Sequence, residues 1–246
     1  MSGHSHWSSI KRQKEAADKK RGKVFSKISR QISMAAKEGG GDPETNSTLR
    51  LAIDKAKDFN MPKDNIERAI KKGTGELEGG KLDSFIFEAY GPERVAIIIE
   101  GITDNRNRSI AEIKKILSQN NGKLADEGSV KWMFERKGSI FISLEEQEEN
   151  FKDKEKIELE VIEAGAEDLS WHEEDNVLEI HTKPENIEKA KSSLKETGIK
   201  INSSSVDWVP KEELELNEKT IEKCQKIFDA LEENDDVQEV YSNLKL

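Results

Sequence analysis

A chain of 246 residues has room for two or three domains. Charged residues (37%) outnumber the apolar set (34%), a thin core and a large surface that favour several small domains over one large globule. The single cysteine excludes an internal disulfide framework and a Cys-rich zinc site and suits a reducing, cytoplasmic setting, and no apolar run approaches the roughly 18 residues of a membrane span.

The net charge of −10 argues against nucleic acid until it is split by position. Residues 1–80 hold 17 Lys+Arg against 11 Asp+Glu, whereas residues 81–246 hold 23 against 39. A cationic part joined to an anionic one points to a nucleic-acid contact at one end.

In chain order, residues 1–10 read as a flexible arm and a helix follows to Lys37. Val24, Phe25, Ile28, Ile32, Ala35 and Ala36 form its apolar stripe, and Lys23, Lys27, Arg30 and Lys37 centre on the opposite face. Gly39-Gly40-Gly41 ends this helix. A second carries Leu49, Ala52, Ile53 and Ala56 at helical spacing. Pro62 opens a third, Ile66, Ala69 and Ile70 supply its apolar face, and Gly73 is expected to stop it. The Gly-rich segment 74–81 reads as a linker.

Strands follow. Phe85–Tyr90 and Val95–Gly101 flank Gly91-Pro92 as a hairpin, and a helix near 107–120 turns Ile110, Ile113, Ile116 and Leu117 inward. Over 129–135, Val130, Trp132 and Phe134 alternate with Lys131, Met133 and Glu135, which predicts a half-buried strand with Trp132 in the core. From 138 onward the order is β-α-β-β-α-β, the ferredoxin-like arrangement, with a two-residue Asp175-Asn176 turn placing Trp171 opposite Ile180. His172 and His181 then lie on the outer face opposite Glu179 and Ser170, so a shared metal is not expected. A last helix (217–233) buries Ile221, Cys224, Phe228 and Leu231, and Val237–Tyr241 closes as a strand.

Residues 1–37 hold ten Lys+Arg against only Glu15 and Asp18. Lys11, Arg12, Lys14, Lys19, Lys20, Arg21, Lys23, Lys27 and Arg30 are therefore candidate phosphate contacts, with Arg50, Lys55, Lys63 and Arg68 on the neighbouring helices and Trp7 available to stack on a base. Such contacts position a nucleic acid without reading its sequence. Asp104-Asn105-Arg106-Asn107-Arg108 lies between a strand and a helix, where Arg106 and Arg108 could hold a phosphate or where Asp104 or Asn107 could simply cap the helix. The acidic runs read as solvated faces that repel phosphate or meet a basic partner. No nucleophile elbow, Walker A, dinucleotide or zinc-protease motif occurs, and Cys224 sits at core spacing, so neither an enzyme nor a metal or cofactor site is expected.

GHSHW at 3–7, KRGKVFSK at 20–27, AAKEGGGDP at 35–43, LRLAIDKAKDFNMPKDNIERAIKKGTGE at 49–76, TDNRNR at 103–108 and GSVKWMFERKG at 128–138 together resemble the YebC family. Its members are described as transcriptional regulators and as translation factors, and include the mitochondrial translational activator of cytochrome c oxidase. The resemblance implies that residues 1–14 are mature protein. It also implies a three-domain α+β architecture: a basic helical domain (1–80), a middle α+β domain (81–136 plus 205–246) and an acidic α+β domain (137–204) inserted in it. The chain departs from the family at His6, usually Lys, at Ser47-Thr48, where Pro-Arg is usual, and at Glu93-Arg94, where Gly-Gly is usual and a stiffer turn is expected here. The function implied is a DNA-binding transcriptional regulator. The alternative is a ribosome-associated translation factor that holds ribosomal RNA. Neither involves a membrane.

Overall fold

The computed structural model describes residues 6–245, with side chains from 21 to 245. The first helix, α1, spans His6–Gly39. Residues 6–10, expected in a flexible arm, form its first turns, since no Gly or Pro interrupts them; residues 1–5 lie outside the described residues. The expected apolar stripe is the packed one: Ile28, Ile32, Ala35 and Ala36 are buried, with Val24 and Phe25 against them. Gly40, at φ +87°, turns the chain out of the helix.

Helices α2 (Ser47–Asp58) and α3 (Lys63–Thr74) close this helical segment. The buried Asn46 caps α2 by accepting from Leu49 N at 3.0 Å, while its amide donates to Ala35 O and Gly40 O at 2.9 and 2.8 Å. One side chain thus ties the end of α1 to the start of α2. Gly73, expected to stop α3, lies inside the helix instead, and Gly75, at φ +82°, is the cap. Gly73 is there because α1 passes close: a Cβ on it would meet Ser33 O at 2.3 Å.

Strands β1 (Asp83–Tyr90) and β2 (Ala96–Thr103) pair antiparallel as expected, with Asp83 opposite Thr103 and Tyr90 opposite Ala96. The turn between them holds Glu93 at φ 51° and Arg94 at φ 64°. The resemblance implies glycines at these two positions, and left-handed backbone costs each L-residue about 1–2 kcal/mol. Against the extra entropy Gly loses on folding, about 0.5–1 kcal/mol per site, the double variant E93G/R94G is expected to gain about 1–2 kcal/mol in a urea melt. Helix α4 (Arg106–Gln119) and the short β3 (Lys123–Leu124) follow.

The alternation over 129–135 does not mark a strand. Residues Lys131–Met133 form a 3-10 turn, Val130 and Phe134 are buried, and Trp132 is 64% exposed. The cause is the buried Glu88 on β1. Its carboxylate accepts backbone N–H bonds from Gly128 and Val130 at 2.6 Å and from Lys131 at 2.9 Å, which winds the chain and turns the indole out.

Residues Glu135–Val209 form a compact unit of their own, interrupting a second unit made of Gly3–Phe134 and Pro210–Leu246. The interrupting unit contains β4 (Phe134–Ser143), α5 (Lys154–Glu163), β5 (Asp168–His172), β6 (Val177–Thr182), α6 (Ile187–Glu196) and β7 (Ser203–Pro210). Its sheet order β5-β6-β4-β7 is the ferredoxin-like one. The β5–β6 register differs from the expected one by two residues: Trp171 faces Leu178, and Leu169 faces Ile180. Four residues, 173–176, make the turn rather than two, with Asn176 at φ 50°. His172 consequently pairs with Val177 and reaches Glu179 diagonally, Nε2 to Oε2 at 2.7 Å, while His181 Nε2 lies 3.5 Å from Glu179 Oε1.

Helix α7 (Glu218–Glu232) and β8 (Val237–Ser242) return the chain to the first sheet, whose order is β3-β1-β2-β8. Phe85, Phe87, Ile97 and Ile99 of the sheet pack with Ile113 and Leu117 of α4 and with Cys224, Phe228 and Leu231 of α7. Burial pushes the Cys224 thiol up to about 11, which leaves it inert. The helical segment falls in the same compact unit as this sheet.

Candidate nucleic-acid interface

The cationic face of α1 explains that union. Lys23 donates to the Glu233 carbonyl and lies 3.2 Å from Glu233 Oε2 and 3.4 Å from Asp235 Oδ1. Lys27 donates to Glu232 O at 2.7 Å. Arg30 donates to Asp235 O at 2.8 Å and Ile102 O at 3.2 Å, and pairs with Asp236 Oδ1 at 2.8 Å. Lys37 donates to Leu82 O at 2.6 Å. The last turn of α7 leaves carbonyls without helical partners and carries the negative end of its dipole, so a row of cations is a natural cap. Lys55 on α2 adds an ion pair with Glu239 of β8.

This docking has a cost at Lys27. Burial, partly offset by Glu239, lowers its ammonium from 10.5 to about 8. The folded state releases the proton first, so stability linked to Lys27 rises with pH between about 8 and 10.5 and is lost below that window. Lys27→Met is expected to flatten this rise in thermal melts taken at pH 7 to 10.

Asp236 is the centre of the contact. Its carboxylate accepts from Arg30, from Arg108 Nη2 at 2.9 Å, from Ser109 Oγ at 2.7 Å and from Thr103 Oγ1 at 3.0 Å. The 104–108 segment is therefore not arranged as a phosphate cradle. Asn105, not Asp104 or Asn107, caps α4 by accepting from Arg108 N at 3.2 Å, and Arg108 is held by Asp104 and Asp236. Arg106 is exposed and lies over the Phe87 ring, 5.4 Å from its centroid.

The other candidates divide in three. Arg50 donates to Pro43 O at 2.8 Å and Glu44 O at 3.3 Å, a turn-stabilising role. Lys63, 3.6 Å from Glu67, and Arg68 are exposed along α3, and Arg21 is exposed on α1. Trp7, Lys11, Arg12, Lys14, Lys19 and Lys20 lie within the span of α1, but their side chains are outside the described residues. Glu88 and the exposed Trp132 escaped the sequence reading. The signal that could have found Trp132 is the presence of Gly128, a turn residue, which the structure holds at φ +84°. Among the described residues no group of three or more His, Cys, Asp or Glu is placed to hold a metal, and no helix is long and apolar enough to cross a membrane.

Fold and site define a three-part α+β protein whose basic helical segment is held by acidic residues of the α7–β8 connection and of β8. Two family models cover it: the TACO1/YebC protein N-terminal domain over residues 5–76 and the TACO1/YebC second and third domain over 82–244. The chain belongs to the TACO1/YebC family. It is 52% identical to a protein of Halothermothrix orenii named "Probable transcriptional regulatory protein", over 100% of this chain and 96% of that one. It is 47% identical to a protein of the same description from Thermoanaerobacter pseudethanolicus, over 100% and 98%. The crystal structure of a conserved hypothetical protein from Aquifex aeolicus superposes with a TM-score of 0.84 at 41% identity, over 92% of this chain and 90% of that one.

Proposed function

We propose that this protein is a nucleic-acid-binding regulator of gene expression, acting as a cytoplasmic DNA-binding transcriptional regulator, as the names of its relatives suggest. The supporting observation is how the cations are divided. Lys23, Lys27, Arg30 and Lys55 are engaged with the body's own carbonyls and carboxylates. The sequence of the same helix concentrates five more Lys+Arg into residues 11–20, against Glu15 and Asp18. That block supplies the sequence-blind, salt-dependent attraction of phosphate binding.

One observation favours a second reading, a ribosome-associated translation factor. A chain with a net −16 over residues 81–246 gains nothing from lying along bare duplex, whereas basic ribosomal proteins would meet that acidic part. Gradient sedimentation of a cell lysate separates the two. The transcriptional reading expects no cosedimentation with ribosomal particles and a footprint on promoter DNA. Cosedimentation with 50S or 70S particles, lost on charge reversal of Lys19, Lys20 and Arg21, would replace it with the second.

A further inference from the structure

Among the described residues Trp132 is the most exposed large apolar side chain, at 64%, yet it is held firmly. Its indole Nε1 donates to Ser129 O at 3.0 Å, and Tyr90 Oη donates to the same carbonyl at 3.0 Å. The backbone on the N-terminal side is fixed by the three N–H bonds to Glu88. On the C-terminal side Lys211 closes over the turn, its N–H donating to Met133 O at 2.9 Å and its Nζ to Trp132 O at 3.0 Å. Lys131 and Lys211, both exposed, therefore belong to the same turn, Lys131 next in sequence to Trp132 and Lys211 on its backbone carbonyl, and Lys123 lies over the Tyr90 ring at 5.8 Å.

We infer that Trp132 is a stacking platform for one unpaired nucleobase, with Lys131 and Lys211 taking the adjoining phosphates. Three features point to a base rather than a protein side chain. The ring's only polar group is already satisfied within the chain, so it offers faces and no hydrogen bond. Part of what enriches tryptophan at protein interfaces is that N–H as a polar handle. The flanking side chains are ammonium groups, the pattern of single-strand binding sites. The ring also pays no ordering cost on binding, because the turn holds it in place beforehand.

This inference rests on the nucleic-acid reading above and adds its ligand: a single strand or a flipped-out base, RNA or DNA. The test titrates the full chain with fluorescent U-rich RNA and dT oligonucleotides and with a hairpinned duplex. Trp132→Ala is expected to weaken both single strands by roughly 5- to 150-fold, the span of one base–aromatic stack, and to leave the duplex unchanged. Trp132→Phe should recover most of that loss. A larger loss on one oligonucleotide shows which kind of strand the platform prefers. Unchanged single-strand affinity in Trp132→Ala, with wild-type binding intact, overturns the inference, assigns the indole to a protein contact and leaves the nucleic-acid reading standing. No binding of any oligonucleotide by the wild type overturns both. The variant should melt with the wild type, because an exposed side chain leaves no cavity.

Discussion

Replacing Asp236 with alanine should cost about 3–5 kcal/mol, the largest stability loss expected of any single substitution in the helical–sheet unit. The side chain is 3% exposed and accepts from two arginines and two hydroxyls. Its removal leaves a cavity and takes from Arg30, Arg108, Thr103 and Ser109 the one carboxylate they share. Asp236→Asn should recover only part of the loss, since an amide keeps the shape but not the charge. The measurement is a urea titration. A change below about 1 kcal/mol would mean that water replaces the carboxylate there.

The same carboxylate sets an acid limit. Burial alone would raise its pKa, but hydrogen bonds from Arg108, Ser109, Arg30 and Thr103 outweigh that and hold it below the ordinary 3.8. Glu88 behaves alike: burial raises it, and the N–H groups of Val130, Gly128 and Lys131 bring it below 4.5. Both pKa values are depressed in the fold. The stability they contribute is complete above the ordinary values and drains away as pH falls through the lower folded ones. Asp236→Asn should blunt the acid limb of a stability–pH curve below about pH 4.

Much of this fold was legible because its signals are local. The α1 stripe, the Gly91-Pro92 hairpin and the order of elements from 138 onward follow from spacing and turn residues alone. The misreadings have separate causes. A period of two over 129–135 looked like a strand because the deciding partner, Glu88, is some 40 residues upstream. The β5–β6 register slipped because Asp175-Asn176 suits a two-residue turn as well as the last half of a four-residue one. The cationic face of α1 was correctly located, but a lysine is satisfied equally by a phosphate or by a helix's terminal carbonyls. Charge in a sequence says where a cation is, not which anion it meets.

That ambiguity separates two sets of basic residues, and charge reversal should split them. Reversing Lys11, Arg12, Lys14, Lys19 and Lys20 together to Glu is expected to lower affinity for any nucleic acid by a hundredfold or more at about 0.1 M salt, and to flatten the log K against log salt slope by about 4. Its thermal melt should stay close to the wild type. Reversing Lys23, Arg30 and Lys55 is expected to do the opposite. Each substitution sets a carboxylate against Glu233, Asp236 or Glu239, so the helical segment should undock and the melt should fall or broaden. Salt slopes and melts on the two variants decide the matter. Equal loss of binding in both, with both folded, would mean that the docked cations trade the body's acids for phosphates when nucleic acid arrives. The union of helices and sheet would then be the resting state of a binding surface. Loss in the first variant alone leaves the docked cations with a structural role and assigns the phosphate contacts to residues 11–20.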